Sequence, residues 1–416
     1  MQMFYAAKIL IGVTQSAFIT IAPTILSDIY TEAERTKMLG IYYTAGAVGA
    51  GVGIIGMGIV ASKVNMVFAF TSFAVATAGL TSLYLLFVPN YERGASEKQN
   101  GDNPDENPEA EKMTDGKLEM SNGENSSIKS DVVYLLKNKT YIYAIFAYAA
   151  TSAVSETSLV WYQELLRRLM IVKNEHPTCA EDFYIVDATK NLTIGGLNIC
   201  GEESDPKEIN CENCNSATIS TYFGLISIFC GMAGTMAGIM IVQKMIIKVR
   251  NAGPLVASVG QFLAGASIIL LILFCRNMGM EFVWVFTALI FMFVTSCFGI
   301  LADLVARVVV SEKRSLAYSI QNFIARAVGA SFPPLMAGFI TETKVKTAVA
   351  DWSPVSSNFS VVDAGLDDVY KEERFDAMRM GFAVIPTYAF ISCLLWYMTS
   401  RTFVKDEDKR LAAGGK

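Results

Sequence analysis

Polar and charged side chains set inside long apolar runs are the residues of this chain with types and spacing suited to chemistry. A charge in hydrocarbon is costly and is retained where it meets a partner, a water-filled cavity or a cargo. Lys8 and Gln15 lie seven residues apart, on one helix face at two turns. Glu156 sits mid-run in ATSAVSETSLVW beside Ser152, Ser155 and Thr157. Asp303 and Arg307 stand at i and i+4 in GILADLVAR, and Gln321, Asn322 and Arg326 follow in one stripe of QNFIAR. A carboxylate in that setting can take up a proton or a cation. A guanidinium suits an anionic head group held by two hydrogen bonds.

Each candidate also has a plainer reading. Lys8 can snorkel to the outer interface, Glu156 can be satisfied by its serine neighbours, and Arg326 can form a buried pair with Glu156 or Asp303. Asp303 and Arg307 are expected to pair with each other. Pro23 and Thr24 share the run IAPT, where proline releases a backbone carbonyl and bends the helix, either opening a polar pocket or serving packing. Asp28 stands at the end of that run and is expected to bond Arg35 or Lys37. Glu164 and Arg167, three apart, read as a surface pair.

The elements that must position these groups are membrane helices. Of 416 residues, 52% are hydrophobic and 18% charged, and the excess falls into blocks of membrane-spanning length. Nine blocks are read: 4–30, 38–60, 66–88, 140–166, 218–247, 255–275, 282–310, 316–340 and 382–403. Their apolar runs are continuous rather than alternating, so the fold class is an all-α polytopic membrane protein and not a barrel. The first block is too long for a signal-peptide core and is expected to stay in the bilayer.

Residues 92–131 are crowded with Glu, Asp, Asn, Lys and Gly and are expected to form a disordered acidic linker on the cytoplasmic side. The linker divides the chain into a partial first half, 1–91, and a six-helix second half, 132–403, with a tail at 404–416. Basic joints at Arg35 and Lys37, Lys137 and Lys139, Lys244 to Arg250, Lys313 and Arg314, and in the tail set the cytoplasmic side. Loops 172–216 and 341–378 then lie outside or in a lumen. The first holds Cys179, Cys200, Cys211 and Cys214, read as two disulfides with three possible pairings, a four-cysteine zinc site being the rival. Asn191 and Asn358 head glycosylation sequons in those loops.

A lone histidine, His176, argues against histidine-cluster enzymes, and no phosphate-binding G-x-x-x-x-G-K-[ST] loop occurs. No repeated filter points to a channel. The chain reads as no enzyme and no nucleic-acid binder, with no metal and no cofactor.

Longer stretches carry a resemblance. GVTQSAFITIAPTILSDIYTEAERTKMLGIYYTAGAVGAGVGIIG resembles the fourth and fifth helices of Spinster-type transporters of the major facilitator superfamily. FGLISIFCGMAGTMAG with NAGPLV is similar to their eighth helix and the loop after it. ILADLVARVVVSEKRSLAYSIQNFIARAVGASFPPLMAGFI is similar to their tenth and eleventh. The resemblance implies a major facilitator fold in which this chain holds helices four to six of the first half and all six of the second, with the first three not in the sequence.

In that register Lys8 falls where the family has an arginine needed for transport. Gln15 replaces a glutamate, which removes a proton-carrying group from that position, and Arg326 replaces a histidine. Glu156 has no acidic counterpart and becomes the candidate coupling site. The basic loop 242–254 lacks the acidic partner of the family's loop motif. The implied function is secondary active transport of an amphipathic lipid, such as a lysophospholipid or sphingoid phosphate, by alternating access. Protons or another ion would couple it, at the plasma membrane or the lysosomal or late endosomal membrane. The competing expectation is a shortened, non-transporting lipid-binding or regulatory protein, or a carrier of another organic anion or sugar.

Overall fold

The computed structural model describes residues 19–23, 25–26, 29–30, 32–64, 66–87, 128–173, 216–310, 313–352 and 364–414. Helix dominates, and no strand occurs among the described residues. After helical residues 19–23 come α1 (Glu32–Lys63), α2 (Met66–Phe87), α3 (Ile128–Lys137), α4 (Lys139–Val172), α5 (Ser216–Ile246), α6 (Ala252–Phe274), α7 (Met280–Thr295) and α8 (Phe298–Val308). Then follow α9 (Arg314–Ile324), a π-helical turn (Ala325–Ala330), α10 (Phe332–Trp352), α11 (Ala364–Phe382) and α12 (Val384–Gly414). Six described segments are long and apolar enough to cross a membrane, with 67–83 as a shorter apolar helix.

Local sequence accounts for several boundaries. No Gly or Pro interrupts the 34 residues of α4, and Asn138 starts it as an N-cap, its Oδ1 accepting the Tyr141 amide at 3.1 Å. The apolar block 282–310 is one run in sequence and two helices in the structure, parted at Ser296 and Cys297. Hydroxyls bonded back to their own helix prepare that break: Thr295 Oγ1 donates to the Phe291 carbonyl at 2.9 Å and Ser296 Oγ to the Phe293 carbonyl at 2.7 Å. Glycine lets α5 pack at this point. A Cβ at Gly238 would lie 3.0 Å from the Ser296 carbonyl carbon.

The same device joins α1 to α5. A Cβ on Gly51 of α1 would meet the Gly224 carbonyl of α5 at 2.6 Å, and one on Gly224 would meet the Gly51 carbonyl at 2.8 Å. Small residues at helix contacts let backbones approach in this way in membranes. Helices α4 and α12 pack along one another. There the Thr151 and Ser392 hydroxyls lie 2.8 Å apart, Ser392 also donates to the Ala147 carbonyl, and Trp396 is fully buried. Three turns further along α4, Tyr162 shares a 2.6 Å hydroxyl bond with Thr287 and stacks on Phe223. Large apolar side chains such as Leu80, Phe229 and Phe339 stay exposed, as lipid-facing positions require.

Three boundaries differ from the sequence reading. The loop expected over 341–378 is helical at both ends, since α10 runs on to Trp352 and α11 begins at Ala364. Charged helix formers fill α11, and the i,i+3 pair of Asp376 and Arg379 closes at 3.1 Å. The linker expected to run through Asp131 gives way to α3 at Ile128, with Lys313 bonded to Asp131 at 2.7 Å and lying over the Tyr134 ring. The tail expected from residue 404 continues α12 as helix. Joints expected on one side do meet at one end, where Asn138 donates to the Val308 carbonyl and Arg250 reaches the end of α12. At the other end Arg276 pairs with Glu372, and Lys173 bonds the Met278 carbonyl.

Candidate functional site

The break in α7–α8 and the π turn set the candidate site against α4. In the π turn one extra residue enters the helical ladder, a feature frequent at functional sites, and Ser331 Oγ donates to the Arg326 carbonyl five residues back. Gly329 brings this turn onto α4, where a Cβ would lie 2.9 Å from the Ala149 carbonyl carbon. Arg326 is thereby delivered to Glu156. Its Nη1 lies 2.7 Å from Glu156 Oε1, with the side chains 41% and 31% exposed. Of the two carboxylates weighed for Arg326, the structure selects Glu156.

A pair so exposed is not a sealed structural bridge. The Arg326 guanidinium carries five N–H donors, so it can hold an anion beside Glu156. Polar atoms with unmet capacity sit nearby in sequence. The buried Thr157 and Ser158 hydroxyls on α4 and Gln321 Oε1 on α9 have no hydrogen-bond partner among the described residues. Tyr148 lies two turns before Glu156 on the same helix and is buried.

Aromatic rings extend from Tyr148 toward the first half. Phe298 lies edge-on to it with centroids 6.4 Å apart, and Tyr43 of α1 stacks on Phe298 at 6.3 Å, with Tyr42 edge-on to Tyr43. These positions were missed in the sequence because each looks like one more aromatic in an apolar run. Only the meeting of three helices makes them a group.

The remaining candidates sort by place. Asp303 and Arg307 pair at 2.7 Å as expected, and Arg307 also approaches Glu407 of the tail at 3.8 Å. Arg250, in the basic loop without an acid of its own, bonds Glu407 and Asp408 at 2.7 Å each. Both bonds raise the Arg250 pKa further above its usual value, Asp408 contributing most. Thr140 donates from its hydroxyl and its amide to Asp406, at 2.8 and 3.1 Å, and Lys409 reaches the same carboxylate. Asn322 does not join the Arg326 pair; its amide reaches toward the helix that holds Pro23.

Lys8, Gln15, Thr24, Asp28, Cys179, Cys200, Cys211, Cys214, Asn191 and Asn358 lie outside the described residues, and Arg35 is described only as helical backbone. Among the described residues four cysteines are free thiols, and no three His, Cys, Asp or Glu are placed to hold a metal.

Comparison with known proteins agrees with the fold. Residues 1–167 match the family model described as Major Facilitator Superfamily. Protein spinster homolog 3 of Danio rerio is 26% identical over 361 residues, covering 86% of this chain and 62% of that protein. The sphingosine-1-phosphate transporter SPNS2 of Mus musculus is 24% identical over 337 residues, covering 80% of this chain and 52% of that one. The chain thus spans about half to three-fifths of the length of these two relatives.

Among solved structures, the inward-facing, unoccupied crystal structure of a bacterial homolog to the human lysosomal transporter Spinster superposes with a TM-score of 0.51 at 14% identity. The match covers 92% of this chain and 74% of that one. On its helices and these similarities, the chain is an integral, multi-pass membrane protein of the major facilitator fold, similar in sequence to the Spinster proteins.

Proposed function

We propose that this chain carries an anionic amphipathic lipid, of the lysophospholipid or sphingoid-phosphate kind, across a membrane by alternating access, with Arg326 receiving the head group and Glu156 handling the coupling proton. The observation that carries this reading is the half-exposed Arg326–Glu156 pair held against α4 by the π turn. An anionic head group competes with Glu156 for the same guanidinium, and protonation of Glu156 releases Arg326 to take it. Binding of cargo and of a proton therefore favour one another, as coupled transport requires. The similarity to a sphingosine-1-phosphate transporter supports the lipid class, and the lysosomal and plasma membranes are the locations proposed.

The test compares detergent-solubilised full chain with lysophosphatidic acid and with monoacylglycerol, which lacks the phosphate. We expect the phosphate lipid to bind at least tenfold tighter, and Arg326→Leu to erase the preference, as loss of one charge-assisted contact implies. Equal binding of the two lipids by the unmodified chain would count against the reading. Preference for the phosphate lipid without any flux in vesicles would favour the lipid-binding, non-transporting alternative.

A further inference from the structure

Two residues that sequence placed in different halves meet across the molecule. Pro23 has no amide hydrogen, so it cannot donate to the carbonyl four residues earlier in its helix, that of Ile19. In hydrocarbon a carbonyl released in this way needs a donor from elsewhere, because no solvent supplies one. Asn322 Nδ2 of α9 donates to the Ile19 carbonyl, 303 positions away, at 3.5 Å. Pro23 is buried, and Asn322 is only 7% exposed.

We infer that Asn322 is a latch between the halves, supplying from α9 the hydrogen bond that Pro23 withholds from its own helix. At 3.5 Å the bond is long and therefore weak, which suits a contact that has to open. The latch lies one turn before Arg326 on a continuous helical path. Asn322 is thereby assigned to the contact between helices and not to the anion contact. The inference does not rest on the identity of any cargo.

A double-mutant cycle separates this from ordinary packing. With Pro23→Ala, residue 23 regains an amide hydrogen and the Ile19 carbonyl is satisfied within its own helix, leaving Asn322 with nothing to replace. Half-lives of the folded full chain in detergent at one temperature are measured for the unmodified protein, Asn322→Leu, Pro23→Ala and the double variant. Asn322→Leu is expected to shorten the half-life about fivefold when Pro23 is present, the worth of one net hydrogen bond, and less than about twofold in the Pro23→Ala background. Equal shortening in both backgrounds overturns the latch. Should Asn322→Leu not fold, Asn322→Ala removes the donor without adding bulk, and is read in the same two backgrounds with the same two outcomes.

Discussion

Glu156 and Arg326 differ in what each can give up. Arginine stays charged at any physiological pH, so the only member of the pair able to bind and release a proton is Glu156. Replacing Arg326 by lysine keeps the charge and loses the planar fork, and we expect binding of a phosphate-headed lipid to weaken about tenfold, read by titration against the unmodified chain. Full affinity in Arg326→Lys would mean that charge alone, and not guanidinium geometry, recognises the head group. Glu156 stood out as a candidate in the sequence because a carboxylate inside an apolar run is rare. Its pairing with Arg326 did not, since Asp303 was an equal candidate until the π turn and Gly329 set α9 and α10 against α4.

Helix contacts carry the next level. The α1–α5 seam depends on Gly51 and Gly224, and Gly51→Leu would drive a side chain into the Gly224 carbonyl. We expect a loss of about 2 kcal/mol, seen as a lower melting temperature in detergent, while a change at lipid-facing Leu80 to Val should leave it nearly unmoved. The glycines themselves were visible in GAVGAGVGIIG and FGLISIFCGMAGTMAG. Which of them face each other depends on how two helices cross, a long-range geometry that no local pattern contains.

The end of α12 offers a pH test at the same level. Burial alone would raise the Asp406 carboxyl, but the bonds from Lys409 and from the Thr140 hydroxyl and amide outweigh it and leave the group below its ordinary value. A carboxylate lowered on folding stabilises the fold above its unfolded pKa and loses that contribution as pH falls through the folded value. Amide protection of residues 404–410 should therefore be flat from about pH 7 to 5 and fall below about pH 4. Asp406→Asn should remove that step, and a step unchanged in the variant would assign it to another group.

Over the whole molecule, the succession of long apolar blocks made the class readable in advance. That the tail is helical was not legible, because residues 404–414 are polar and their helix is held by docking: Glu407 and Asp408 supply Arg250 with the acid its own loop lacks, and Arg307 comes within 3.8 Å of Glu407. That network ties the ends of α6, α8 and α12 together on one face. In the alternating access we propose, the contacts that would have to change are the seam of α1 with α5, the Asn322 bond and the pair at Arg326.

The central claim, that the Arg326–Glu156 pair couples a proton to a phosphate-headed lipid, is tested most directly by uptake of labelled sphingosine-1-phosphate into vesicles reconstituted with the chain, with and without a pH gradient. The account predicts flux above that of empty vesicles, accelerated by the gradient, with the acceleration lost in Glu156→Gln. Flux no greater than in empty vesicles, or an acceleration that Glu156→Gln leaves intact, would contradict it.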